Sequence, residues 1–312
     1  MTAAAAFALA IPLYLLILIG YLLARAGGWP ATIADALSRF VFVIAIPALL
    51  LQLTSEFWRL PAVDPRLLFA YFGGCLTVFV LARVIGARVF GQDGVAQSVF
   101  GMAAIYGNNV LLGLPIAKSA LGEAAVPSIA LVLALNSLVL WTLATASVEW
   151  ERHGKLTLNG IAQTVTSVVT NPIIASILVG TAWGLTGWPL PGPLRATLAL
   201  LGQAAVPLAL VTVGFGLAGY RIADGLREAL AITGLKLVVL PLIVWGLARL
   251  IGLPPLETAV VTLMASIALG VNGYLMAREF RALQGAVGAA LLISTAISAV
   301  ALPLTIVLLG AG

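Results

Sequence analysis

106-YGNNVLLGLPIAKS-119 lies inside a long apolar region, where a helix crossing a membrane is expected. Yet it holds two adjacent asparagines, two glycines, a proline and a lysine. Proline removes a backbone donor and clashes with the preceding turn. Glycine permits unusual dihedrals and close backbone approach. Asparagine offers an acceptor and two donors. The stretch reads as a helix that breaks at mid-depth and satisfies its freed backbone by some other means. Exposed N–H and C=O groups are tolerated at that depth only inside protein or against a wet cavity.

The surroundings support that depth. The chain has 312 residues, 62% of them hydrophobic and 9% charged, with a mean hydropathy of +1.14. Soluble domains carry about 25% charged residues. Apolar runs of roughly 20 residues recur along the chain, the length a helix needs to cross a ~30 Å hydrocarbon core. They do not alternate apolar and polar residues, as barrel strands would. The sequence therefore predicts an all-α polytopic membrane protein with the lipid bilayer as its surroundings. Ten spans are predicted at roughly 4–24, 32–54, 66–88, 94–118, 124–148, 158–183, 194–218, 226–250, 256–277 and 283–310. The first lacks a basic leader and is too long for a signal segment, so it reads as a retained helix. Cys75, alone, excludes an internal disulfide and a multi-cysteine metal site. His153, alone in the polar run 149-EWERHGK-155, reads as a solvated loop residue. Net charge is +5 without a dense basic run, so nucleic acid is not a predicted partner.

With the N-terminus outside, the inner loops hold Arg25, Arg39, Arg83, Arg88, Arg152, Lys155, Arg221, Arg227, Arg278 and Arg281. The outer loops hold Arg59, Arg66, Lys118, Arg195 and Arg249. Basic residues favour the cytoplasmic side, so ten against five places both termini outside the cytoplasm.

The two halves resemble each other. 20-GYLLARAGGWP-30 aligns with 180-GTAWGLTGWP-189, 44-IAIPALLL-51 with 204-AAVPLALV-211, and 81-LARVIG-86 with 247-LARLIG-252. The second pair sets Pro47 against Pro207. Five spans per half is an odd number, so the second half enters from the opposite side. This predicts two inverted repeats, 1–155 and 156–312, an architecture used by secondary transporters with midplane sites between interrupted helices. The counterpart of the opening stretch, in the ninth span, is 266-SIALGVNGYLMAREF-280. It carries Gly270, Asn272, Gly273 and Tyr274, facing Tyr106, Gly107, Asn108, Asn109, Gly113 and Pro115 of the fourth span. The plainer reading of either segment is a kink with glycine packing. Backbone departures are predicted within Asn108–Pro115 and Ala268–Gly273.

These segments resemble the two crossover motifs of the auxin efflux carrier family, whose bacterial branch includes organic-acid permeases. The likeness runs through Tyr106–Gly107–Asn108–Asn109, Gly113–Leu114–Pro115 and Val271–Phe280, and extends over nearly the whole chain. It implies a fold similar to bile-acid sodium symporters and sodium/proton antiporters, in which the fourth and ninth helices break and cross. It also implies a scaffold of spans 1, 2, 6 and 7, a mobile transport domain of spans 3–5 and 8–10, and a homodimer through the scaffold, in a bacterial inner membrane. Plant members carry prolines around the ninth-span crossover. Here 263-LMASIALGVNGYLMA-277 has none, with Asn272 near that point, which predicts a milder second break.

Lys236, in 231-AITGLKLVVLPLIVWG-246, lies deep in the eighth span. Ionisable residues there are costly and are functional candidates by default. Three readings stay open: snorkelling to an interface, structural support of unwound carbonyls, and a role toward substrate or proton. Every acidic residue lies in a loop or near a span end. A helix half beginning at a midplane break points its positive end inward, which suits an anion. Other polar candidates are Asn136, Gln203 and, more weakly, Ser137, Ser294, Thr295 and Ser298, since hydroxyls in membrane helices often bond their own backbone. The leading reading is a secondary carrier of a small organic anion, a dicarboxylate or auxin-like acid, with a proton as coupling ion and no cofactor. A sodium-coupled symporter and an anion channel are the rivals. An enzyme lacks a nucleophile–base pair or metal cluster, and a phosphate-binding glycine loop is absent.

Overall fold

The computed structural model describes residues 3–26, 28–29, 31–56, 63–153, 172–219 and 225–309. Residues 158–171 of the sixth predicted span, and Arg59, Lys155 and Arg221 of the charge count, lie outside them. So do the side chains of Ser137 and His153. The described residues are nearly all helical, with one isolated bridge and no strand.

In chain order the α-helices are α1 Ala3–Ala26, α2 Ala31–Phe40, α3 Ile46–Ser55, α4 Arg66–Phe90, α5 Gly94–Ile105, α6 Leu114–Leu121 and α7 Val126–His153. They continue as α8 Pro172–Leu185, α9 Gly192–Ala218, α10 Leu226–Gly234, α11 Leu240–Leu250, α12 Pro255–Ser266, α13 Val271–Glu279 and α14 Gln284–Leu308. The continuous helical stretches Asp35–Ser55, Arg66–Phe90, Gly192–Ala218, Leu226–Leu250 and Gln284–Leu308 are each long and apolar enough to cross a membrane. Large apolar side chains such as Phe69, Leu200 and Leu308 stay on the outside of the molecule. That is the surface a bilayer requires.

Local chemistry places the ends. α4 stops at Gly91, whose φ of 61° is left-handed, and the Gln92 N–H closes back on the Gly86 carbonyl at 3.0 Å. That is the glycine-dependent C-cap. Two residues later the Asp93 carboxylate accepts from the Ala96 N–H at 2.8 Å and caps α5. A tight reversal thus sets α5 against α4.

Three helices widen into π geometry, at Val41–Ala45, Asn109–Gly113 and Leu235–Val239. Each segment ends two residues before a proline: Pro47, Pro115 and Pro241. A proline ring collides with the carbonyl four residues earlier. Widening the turn moves that carbonyl aside, and the N–H groups of Ile46, Leu114 and Leu240 bond five residues back, to Val41, Asn109 and Leu235. Pro207, the expected counterpart of Pro47, instead sits inside the uninterrupted α9. Pro115 likewise lies in the resumed helix and marks no break.

Glycines bring helices to backbone contact. A Cβ at Gly20 of α1 would strike the Val211 carbonyl of α9, and one at Gly214 of α9 would strike the Ile17 carbonyl of α1. α3 packs on α8 and α9. In a second group α4 packs on α5 and α11, α10 on α14, and α11 on α12, and α1 joins the two groups by packing on α14 as well. Cys75 is buried in that second group. The core runs through both groups as one cluster.

Candidate substrate site at the crossing of two broken helices

The break in the fourth predicted span falls at Tyr106–Asn108, between α5 and the π turn. Tyr106 is extended (φ −79°, ψ 100°), and Asn108 is neither helical nor extended (φ −76°, ψ 55°). It starts just before the predicted Asn108–Pro115. The break in the ninth span covers Ile267–Gly270, from Ile267 (φ −65°, ψ 140°) to Gly270 (φ −88°, ψ 154°). Its non-helical part has four residues, whereas the first departure continues through the π turn to Gly113, and no proline is needed, because the freed backbone finds partners.

Those partners are the two breaks themselves. The Asn108 N–H donates to the Ala268 carbonyl at 2.8 Å, and the Gly270 N–H donates to the Tyr106 carbonyl at 3.0 Å. Gly107 and Leu269 thereby pair as an antiparallel bridge. The Leu269 N–H donates to Ser294 Oγ of α14 at 3.2 Å. The Asn108 carbonyl accepts from both Leu112 and Gly113 N–H, each at 3.0 Å. These buried backbone groups of the two breaks are thus paired, as burial away from water demands. Gly107, Gly113, Gly270 and Gly273 all avoid left-handed dihedrals, so the expectation of unusual dihedrals is corrected. Space is their reason: a Cβ on Gly270 would lie 2.9 Å from the Gly107 carbonyl oxygen.

A cavity of about 40 Å³ adjoins the crossing, lined by Asn108, Asn109, Asn136 and Asn272 with Tyr106 and Phe42 among others. Asn109 Nδ2 donates to Tyr71 Oη at 2.6 Å, and Tyr71 Oη donates to Asn136 Oδ1 at 3.3 Å. All three residues are buried. Asn109 Oδ1 is buried with no hydrogen-bond partner among the described residues. Asn272 Nδ2 donates to Tyr106 Oη at 3.2 Å. Tyr71 escaped the sequence reading because it stands five residues past Arg66, where a tyrosine reads as an interfacial anchor.

Lys236 is fully buried in the π turn of the eighth span, and its Nζ donates to the Ala265 carbonyl at 2.6 Å. Ala265 belongs to the last turn of α12, where the departure of the chain at Ile267 takes away the usual donors. Of the three readings of Lys236, the geometry is that of support for an interrupted helix, and snorkelling is ruled out. Two predicted site residues do not join the crossing. Tyr274 lies one turn along α13, outside the cavity lining, and Gln203 of α9 lines a different, larger cavity.

The arrangement concentrates donors. α13 and the π turn leading into α6 both begin at the crossing, so both positive helix ends point there. Side-chain amides surround them, and no acidic side chain lines the small cavity. Such a site suits an oxygen-rich anion.

No curated protein matches the chain. A family model described as membrane transport protein matches residues 5–306. With that match over nearly its whole length, the chain belongs to the auxin efflux carrier family, a family of multi-pass membrane transporters.

Proposed function

We propose that this protein is a secondary carrier of a small organic anion, binding a carboxylate at the crossing of α5/α6 and α12/α13. The observation that carries the reading is the convergence of two helix starts and four asparagines on one buried cavity free of acids. Asn108, Asn109 and Asn272 would hold the carboxylate, with Asn136 and Tyr71 orienting Asn109. About 40 Å³ has room for water rather than a dicarboxylate, so binding requires the walls to part. Alternating access supplies that parting. The packing of α3 with α8 and α9, and of α4 with α5 and α11, supports a scaffold and a moving body of elevator type, with α1 touching both α9 and α14. Ten spans in two inverted repeats fit the positions of the two breaks. A homodimer through the scaffold and a place in a bacterial inner membrane, with both termini outside, complete the proposal.

Lys236 Nζ already fills the carbonyl end of α12 beside the break, where a bound cation would find its oxygens. We therefore read transport as independent of sodium. A proton is the coupling ion we assign. The test is uptake of labelled mono- and dicarboxylates into proteoliposomes, alongside thermal melting with the same compounds. A ligand bound only by the folded state raises the melting temperature. Saturation, counter-exchange and indifference to sodium are the expected results. Unsaturable flux would indicate a channel instead, and uptake that needs sodium would indicate a symporter.

A further inference from the structure

A second cavity is larger than the one at the crossing. A cavity of about 740 Å³ opens between α3, α6 and α9. Its volume is that of a small-molecule site. Two ion pairs line it. Arg195 Nε, in the first turn of α9, lies 3.1 Å from Glu56 Oε1 at the end of α3. Lys118 Nζ of α6 lies 3.1 Å from Glu123 Oε1. One pair joins α9 to the end of α3 and the other lies at the end of α6, so the cavity presents two cations, each already holding a carboxylate. Gln203 lies eight residues beyond Arg195, about 12 Å further along α9. The lining therefore adds a neutral polar group away from the charged pairs, with Leu49 and Val206 also in it.

Resting on the anion-carrier reading, we propose that this cavity is a capture site for a dicarboxylate, with Lys118 and Arg195 each taking one of its carboxylates. Glu56 and Glu123 occupy the two cations as internal stand-ins when the site is empty. Both pairs are partly exposed, with side-chain exposures of 52% and 24% for Arg195 and Glu56, and 31% and 64% for Lys118 and Glu123. Exposed pairs hold weakly, so an arriving dianion displaces the stand-ins readily. The cavity carries no net charge from these four groups, so the anion is not trapped there. Lys118 sits on the helix that starts at the crossing, which makes this cavity the approach to the inner site from one face of the membrane.

The proposal gives the four side chains opposite signs. Lys118→Gln and Arg195→Gln raise the half-saturating concentration of a C3–C4 dicarboxylate, and Glu56→Gln and Glu123→Gln lower it, by about two- to fivefold each. The change appears for transport from one side of the membrane only, and is smaller for a monocarboxylate. The measurement is initial rate against concentration for uptake and for efflux, in cells expressing each variant at matched membrane levels. Weakening by all four substitutions would mean an ion-pair gate, and would overturn the capture site. So would equal effects on both sides, or no effect from any variant while the parent carries the anion. A parent that transports no carboxylate would remove the carrier reading itself.

Discussion

Gly270 holds an ordinary extended backbone, so its side chain is absent for lack of room and for no other reason. The Gly107 carbonyl and the Asn108 backbone fill the place of a Cβ, at 2.9 and 3.1 Å. Gly270→Ala should push the crossing segments apart and lower stability by about 1–3 kcal/mol. Chemical or thermal melting of the purified protein measures this, and an unshifted transition would mean that the two segments do not touch. At Lys236 the expectation differs in kind. Lys236→Met removes the donor to a buried carbonyl that has lost its helical partner, a loss of about 1–3 kcal/mol. Melting temperature and transport should fall together. Transport lost at an unchanged melting temperature would instead make Lys236 a substrate or proton group and not a support.

At the scale of elements, the helices were legible because membrane helices announce themselves by length and apolarity. The paired breaks were legible from Asn108, Asn109, Asn272 and their glycines. What could not be read was how the freed backbone groups are satisfied, because the pairing of Gly107 with Leu269 joins residues far apart in the chain. Proline is a poor guide here. Its absence near Asn272 suggested a mild break, yet four residues leave the helix there, because a break needs only partners for its backbone. The presence of Pro115 suggested a break, whereas a π turn absorbs the ring. Gln203 is a polar candidate in the sequence, but polarity in an apolar span carries no direction, and its side chain lines the other cavity. The glycines at helix contacts give a sharper test. Gly20→Ala and Gly214→Ala each drive a methyl into a carbonyl of the facing helix, while Gly216 and Gly246 have open space at the same position. The first two should destabilise by about 1–3 kcal/mol or more. The second two should be neutral or slightly stabilising, since alanine favours the helix by about 1 kcal/mol over glycine. Equal melting temperatures for all four would contradict the close packing of α1 on α9.

For the whole molecule, the proposed ten spans and the ten-to-five charge count predict both termini outside the cytoplasm. A C-terminal pair of reporters, one active only in the cytoplasm and one only beyond it, should give the outer signal alone. A cytoplasmic signal would reverse the face on which the 740 Å³ cavity opens. The seating of α1 against α9 has a further consequence, in time rather than in space. Gly20 and Gly214 are about 190 residues apart in the chain, so at translation rates of about 5–20 residues per second the ribosome needs roughly 10–40 s to deliver the partner of the first helix. Through that interval the glycine face of α1 has only lipid or the insertion machinery against it. Docking of α1 on α9 is therefore a late event in biosynthesis, and truncated chains ending before α9 should be the natural prey of membrane proteases.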